Sequence, residues 1–101
     1  MTVALQGDFG KPRPALVIQS DRFDETATVT VLLVSGTLVD APLLRVTVEP
    51  AKQNGLPKRS QVMIDKAMTV KRDRIGGVFG AAGDADMMKI GRGVAVFLGL
   101  A

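Results

Sequence analysis

The chain has 101 residues, 47% of them apolar, with 13 Lys and Arg against 10 Asp and Glu, a formal net charge of +3. It contains neither Cys nor His, which excludes disulfides, thiolate or imidazole zinc sites, Ser-His-Asp and Cys-His catalysis, and a paired-imidazole ribonuclease site. This length fits one domain over residues 1–101 with a modest core, and no apolar run reaches the ~20 residues a membrane helix needs.

Met1 to Leu5 is a predicted short strand, apolar and β-branched, without the basic start of a secretory signal. Gly7 to Phe23 follows as GDFGKPRPALVIQSDRF, a glycine- and proline-rich turn that runs through Lys11 and Arg13 into the apolar strand Pro14 to Gln19. Pro12 and Pro14 stiffen the backbone around Arg13, which lowers the entropy lost when its guanidinium meets a ligand. Lys11 and Arg13 read equally as a solvated pair on a plain loop.

Thr26 to Ser35, TATVTVLLVS, alternates and then becomes continuously apolar, the pattern of a central strand covered on both faces. Leu43 to Glu49 resumes the alternation, with Leu44, Val46 and Val48 on one face and Arg45, Thr47 and Glu49 on the other. Pro50 to Lys58 is a loop built on Asn54-Gly55. Arg59 to Val70 reads as a strand at Gln61 to Ile64, a polar kink at Asp65 and Lys66, and an extended piece at Met68 to Val70. Ile75 to Gly83 lacks the lysine and hydroxyl of a phosphate-binding P-loop and reads as a turn with a short strand.

Asp84 is the predicted N-cap of a helix over Ala85 to Leu98, with Met87, Ile90, Val94 and Phe97 as its core stripe. Gly91 and Gly93 each weaken such a helix by roughly 1 kcal/mol, a sign of close approach by another backbone. Together the elements make a small, mostly antiparallel β-barrel or curled sheet with a C-terminal α-helix.

The run KPRPALVIQSDRF resembles the signature of the MazF/PemK toxins, at Arg13, Pro14, Leu16, Val17 and Ile18 to Asp21. Further echoes are VTVLLVS at Val29 to Ser35, RSQVMIDKAMTV at Arg59 to Val70, and the terminal FLGL, so that the resemblance spans nearly the whole chain. Family members begin the first strand with several further residues, a glycine and an acidic residue among them, ahead of the point where this sequence starts.

The resemblance implies a small SH3-like or CcdB-type barrel, a homodimer with its substrate groove at the dimer interface, and a cytoplasmic toxin held by an acidic antitoxin. It implies metal-independent, cofactor-free cleavage of single-stranded RNA through a 2′,3′-cyclic phosphate. Arg13 matches the family's motif arginine, and Ser35 stands where the family has a catalytic threonine. Lys11, Thr37, Lys58, Arg59, Asp65 and Thr69 are the candidate RNA contacts, with Asp65 equally readable as a turn cap and Lys11, Lys58 and Arg59 as solvated charges. The alternatives are a gyrase-binding toxin like CcdB, which the end FLGLA and the absence of Trp disfavour, and a degenerate member that binds antitoxin without cutting.

Overall fold

The computed structural model describes residues 2–6 and 12–101, and carries side chains from Arg13 onward except at Asp21. Six strands form one sheet in the order β4-β5-β3-β2-β1-β6, antiparallel at every pairing. They are β1 (Thr2–Gln6), β2 (Pro12–Val17), β3 (Thr28–Ser35), β4 (Arg45–Val48), β5 (Ser60–Lys71) and β6 (Ile75–Gly80), followed by the helix α1 (Asp84–Phe97).

β3 lies inside the sheet and is buried on both faces, as its apolar run predicts. Leu32 and Val34 join Leu16, Val62, Ile64 and Ile90 in the main core under α1, while Val29 and Val31 pack with Ala15 on the opposite face. Period-two alternation alone sorts these side chains to the two faces.

The barrel of the sequence reading remains an open, curled sheet with β4 and β6 as its edges. The edges are joined through the β4-β5 loop, where the Ala81 N–H donates to Gln53 O at 2.9 Å. Asn54 is buried inside that loop. Its Oδ1 accepts from the Ala51 and Leu56 amides, both at 3.0 Å, and its Nδ2 donates to Glu49 O at 2.9 Å. Gly55 turns the chain at φ 69°, a conformation that favours glycine.

Two strand readings change. Leu43 and Leu44 belong to a turn, because the amides of Leu44 and Arg45 both donate to Ala41 O, so β4 begins at Arg45. β5 is one twelve-residue strand, and the polar kink at Asp65 and Lys66 is a bulge within it. Three extra β5 residues fall between the pairs Val34↔Val62 and Leu32↔Ala67, bending the strand without ending it.

The helix reading changes at three points. Gly83, in extended conformation, occupies the N-cap, and Asp84 and Asp86 lie in the first turn, where the dipole favours their charge. Phe97 is half exposed, so the core stripe is Met87, Ile90 and Val94. Close approach is found at Gly93, from the Ile64 side chain rather than a backbone, whereas a Cβ on Gly91 would meet nothing within 4 Å. The helix ends in a Schellman motif. Leu100 N–H bonds Ala95 O at 2.7 Å and Gly99 N–H bonds Val96 O at 3.1 Å, with Gly99 at φ 75°.

Candidate active site

The two residues expected to carry chemistry come from neighbouring strands. The β2-β3 ladder runs as far as Ala15 opposite Leu33. Arg13 and Ser35 lie two residues beyond that last pair on their own strands, so they share the face of Ala15 and Leu33, and both line one cleft. On β5, Gln61 pairs with Ser35 on one side and with Thr47 of β4 on the other. A polar row, Arg13, Ser35, Gln61 and Thr47, thus crosses four strands on one face.

Arg13 is exposed and Ser35 half-buried, and both line a cleft of about 420 Å³ that also takes in Thr37, Lys58 and Ser60. Its apolar walls include Pro14, Leu56 and Met63. The β3 end is shaped by Ser35 itself. Its Oγ accepts from the Thr37 N–H at 3.1 Å, closing a tight polar turn over Gly36. Lys58 lies across that turn, its Nζ 3.0 Å and its Cε 2.5 Å from where a Cβ on Gly36 would stand. Glycine at position 36 therefore admits the lysine to the cleft.

The cleft offers a guanidinium, an ammonium and three hydroxyls, those of Ser35, Thr37 and Ser60, within one concavity. These are donors suited to a phosphodiester whose non-bridging oxygens gain charge during displacement. Among the described residues, no cluster of acidic side chains could hold a metal ion.

The other candidates lie elsewhere. Lys11 is outside the described residues. Arg59 points away into an ion pair with Glu49 at 2.7 Å. Asp65 sits in the β5 bulge, 3.6 Å from Lys66 Nζ, and Thr69 pairs with Thr30 farther along β5. None of these three lines the cleft.

Sequence reading missed Ser60 and Met63 as cleft residues and Gln61 as a brace. Gln61 is buried, and its amide grips the loop that leaves Ser35, accepting from Val39 N–H at 3.0 Å and donating to Val39 O at 3.1 Å. The available signal was the polar pair Ser60-Gln61 immediately before an apolar run, a placement that requires partners if the strand is buried.

Comparison with known proteins gives a consistent result. The family described as PemK-like, MazF-like toxin of type II toxin-antitoxin system matches residues 1–98. A probable endoribonuclease MazF from Mycolicibacterium smegmatis (strain ATCC 700084 / mc(2)155) is 46% identical over 101 residues, covering 99% of this chain and 93% of the relative. Among solved structures, Mycobacterium tuberculosis toxin MazF-mt6 aligns with a TM-score of 0.85 at 22% identity, over 99% of this chain and 97% of its own. An endoribonuclease in complex with its cognate antitoxin from a mycobacterial species gives 0.84 at 24% identity, over 99% and 92%. MazE-MazF from Deinococcus radiodurans gives 0.79 at 22% identity, again over 99% and 92%. At these identities the structural likeness establishes the fold.

Proposed function

The chain belongs to the PemK-like, MazF-like toxins of type II toxin-antitoxin systems, and from that premise we propose that it is an endoribonuclease that cuts single-stranded RNA at the Arg13–Ser35 cleft. The observation that carries this reading is the single cleft that Arg13 and Ser35 line together, with Lys58 drawn over Gly36 beside them.

In the reaction the ribose 2′-oxygen bonds to phosphorus, the bond from phosphorus to the 5′-oxygen breaks, and the products are a 2′,3′-cyclic phosphate and a 5′-hydroxyl. The 2′-hydroxyl gives up its proton and the leaving 5′-oxygen takes one. Arg13 holds two non-bridging oxygens in its planar fork as they gain charge. Lys58 adds a second positive charge at the same phosphate. The Ser35 hydroxyl accepts from the Thr37 amide and donates to the Thr37 carbonyl at 3.3 Å, and it supplies the short-range donor by turning that proton from Thr37 O to the phosphate. The Arg13 guanidinium carries donors and no acceptor, so its part is charge stabilisation.

The partner is an antitoxin with an acidic segment, matched to the basic cleft and folding as it binds. The toxin works as a homodimer in the cytoplasm. Exposed Leu43, Val96, Phe97, Leu98 and Leu100 provide apolar surface for the second copy.

The test is cleavage of a long, mostly unpaired RNA in excess EDTA, with ends mapped by primer extension. Discrete cuts bearing 5′-hydroxyls that vanish with Arg13→Ala are expected. A folded, dimeric sample that cuts nothing would overturn the reading and direct attention to a protein target such as gyrase.

A further inference from the structure

A second cleft of about 420 Å³ opens beside β4, lined by Val39, Asp40, Arg45, Thr47, Gln61 and Lys89 among others. It shares the Ser35–Ala41 connection with the first, since Thr37 faces one cleft and Val39 the other. We propose that this cleft is an RNA-phosphate subsite, with Arg45 and Lys89 as its cations, that receives the strand after it crosses the sheet from Arg13. The proposal rests on the reading of the chain as an RNA-cutting toxin and extends it to a surface away from the broken bond.

Geometry provides the track. Arg13, Ser35, Gln61 and Thr47 occupy one row across β2, β3, β5 and β4, and three strand spacings set its ends roughly 14 Å apart. Arg45 is two residues from Thr47, hence on the same face. The Ser35–Ala41 loop, clamped on buried Gln61 through Val39, covers the middle of this row and separates the two clefts, so a single strand passes from the Arg13 guanidinium over that loop to the Arg45 guanidinium.

The balance of donors and acceptors provides the chemistry. Gln61 is fully engaged, its Oε1 taken by Val39 N–H and, at a long 3.5 Å, by Arg45, and its Nε2 by Val39 O and Thr47 Oγ1. That single long bond is the one side-chain hydrogen bond of Arg45 among the described residues, and Lys89 makes neither a side-chain hydrogen bond nor an ion pair there. Guanidinium and ammonium together carry eight N–H donors, so the free capacity of the cleft is mostly cationic donor. Asp40 is the one carboxylate on its wall, and as an acceptor it suits a ribose 2′-hydroxyl, the group that separates RNA from DNA.

The experiment measures equilibrium binding of fluorescent, mixed-sequence single-stranded RNA of about 4 and about 12 nucleotides. The protein carries Arg13→Ala so that nothing is cut, with and without Lys89→Gln and Arg45→Gln. The pair of substitutions is expected to weaken the longer RNA about tenfold and the shorter less than about twofold, and to lower the slope of log Kd against log salt by about 1.4, two phosphate contacts' worth. Lys89→Gln alone, at an exposed helix position, should give about a third of that loss on a logarithmic scale with an unchanged melting temperature. Equal weakening of both lengths, or no change in either, overturns the proposal. So does unchanged RNA binding with weaker capture of a polyglutamate probe, which assigns the cleft to an acidic peptide. If the parent protein cuts no RNA yet the length contrast holds, the subsite stands and the catalytic reading falls.

Discussion

Lys58 and Gly36 occupy each other's space: the lysine's Nζ sits 3.0 Å from the position a Cβ on residue 36 would take, and its Cε only 2.5 Å. Gly36→Ala should therefore expel the end of the Lys58 side chain from the cleft. Because that end is flexible and exposed, the stability cost should stay below about 1 kcal/mol, while cleavage falls about tenfold, the worth of one phosphate contact. In a double-mutant cycle with Lys58→Ala the two losses should fail to add. Additive losses would place the effect of Gly36 elsewhere.

Arg13→Ala should lower kcat by about 10²- to 10³-fold, the usual effect of removing one preorganised donor. Arg13 is exposed, so the melting temperature should not move. Arg13→Lys should recover only a small part of the activity, because an ammonium cannot hold two phosphate oxygens in a fork.

Ser35→Ala removes the acceptor of the Thr37 amide together with the cleft hydroxyl, and single-turnover cleavage should drop at least about tenfold. Ser35→Thr keeps the hydroxyl and stiffens χ1, so its rate should match or exceed that of the parent. A slow Ser35→Thr variant would argue against a role for this hydroxyl.

Asn54 is the structural counterpart. Buried and triply hydrogen-bonded, it orders the loop that leads through Leu56 into the core and on to Lys58. Asn54→Ala should cost about 2–3 kcal/mol in urea unfolding, since it leaves the buried Leu56 amide without its partner. Gly55→Ala should also destabilise, because the residue is held at positive φ with Phe79 O 2.6 Å from the added methyl.

The two helical glycines should part company. Gly91→Ala meets nothing and should raise stability by about 0.5–1 kcal/mol. Gly93→Ala would press on Ile64 at 3.3 Å, so most of that gain should disappear. Equal melting temperatures for the two variants would contradict the packing of α1 on β5.

What the sequence made legible was local. The continuous apolar run placed β3 inside the sheet, the helical stripe placed Ile90 in the core, and the run KPRPALVIQSDRF singled out Arg13. Register was not legible, because nothing in a single strand says which residue of another it will face. The meeting of Arg13 and Ser35 in one cleft and the pairing of Ser35 with Gln61 follow from how β2, β3 and β5 are laddered together. Leu43 and Leu44 carried the alternation of a strand but were claimed by a turn onto Ala41 O. Arg59 and Lys58 are neighbours of like charge in the loop ahead of β5, and only the path of that loop decides that one faces the cleft while the other meets Glu49.

The β3-β5 ladder joins residues 26 to 43 positions apart, from Ser35 with Gln61 to Thr28 with Lys71. Such distant pairing forms late, after the intervening loop has been closed. A nascent chain that has emerged only as far as β4 carries Arg13 and Ser35 but lacks Lys58, Ser60 and the Gln61 grip on Val39. The cleft is thus absent during most of its own synthesis and assembles only as the last third of the chain leaves the ribosome. A protein proposed to destroy messages is built so that its partly made form cannot cut the message being read.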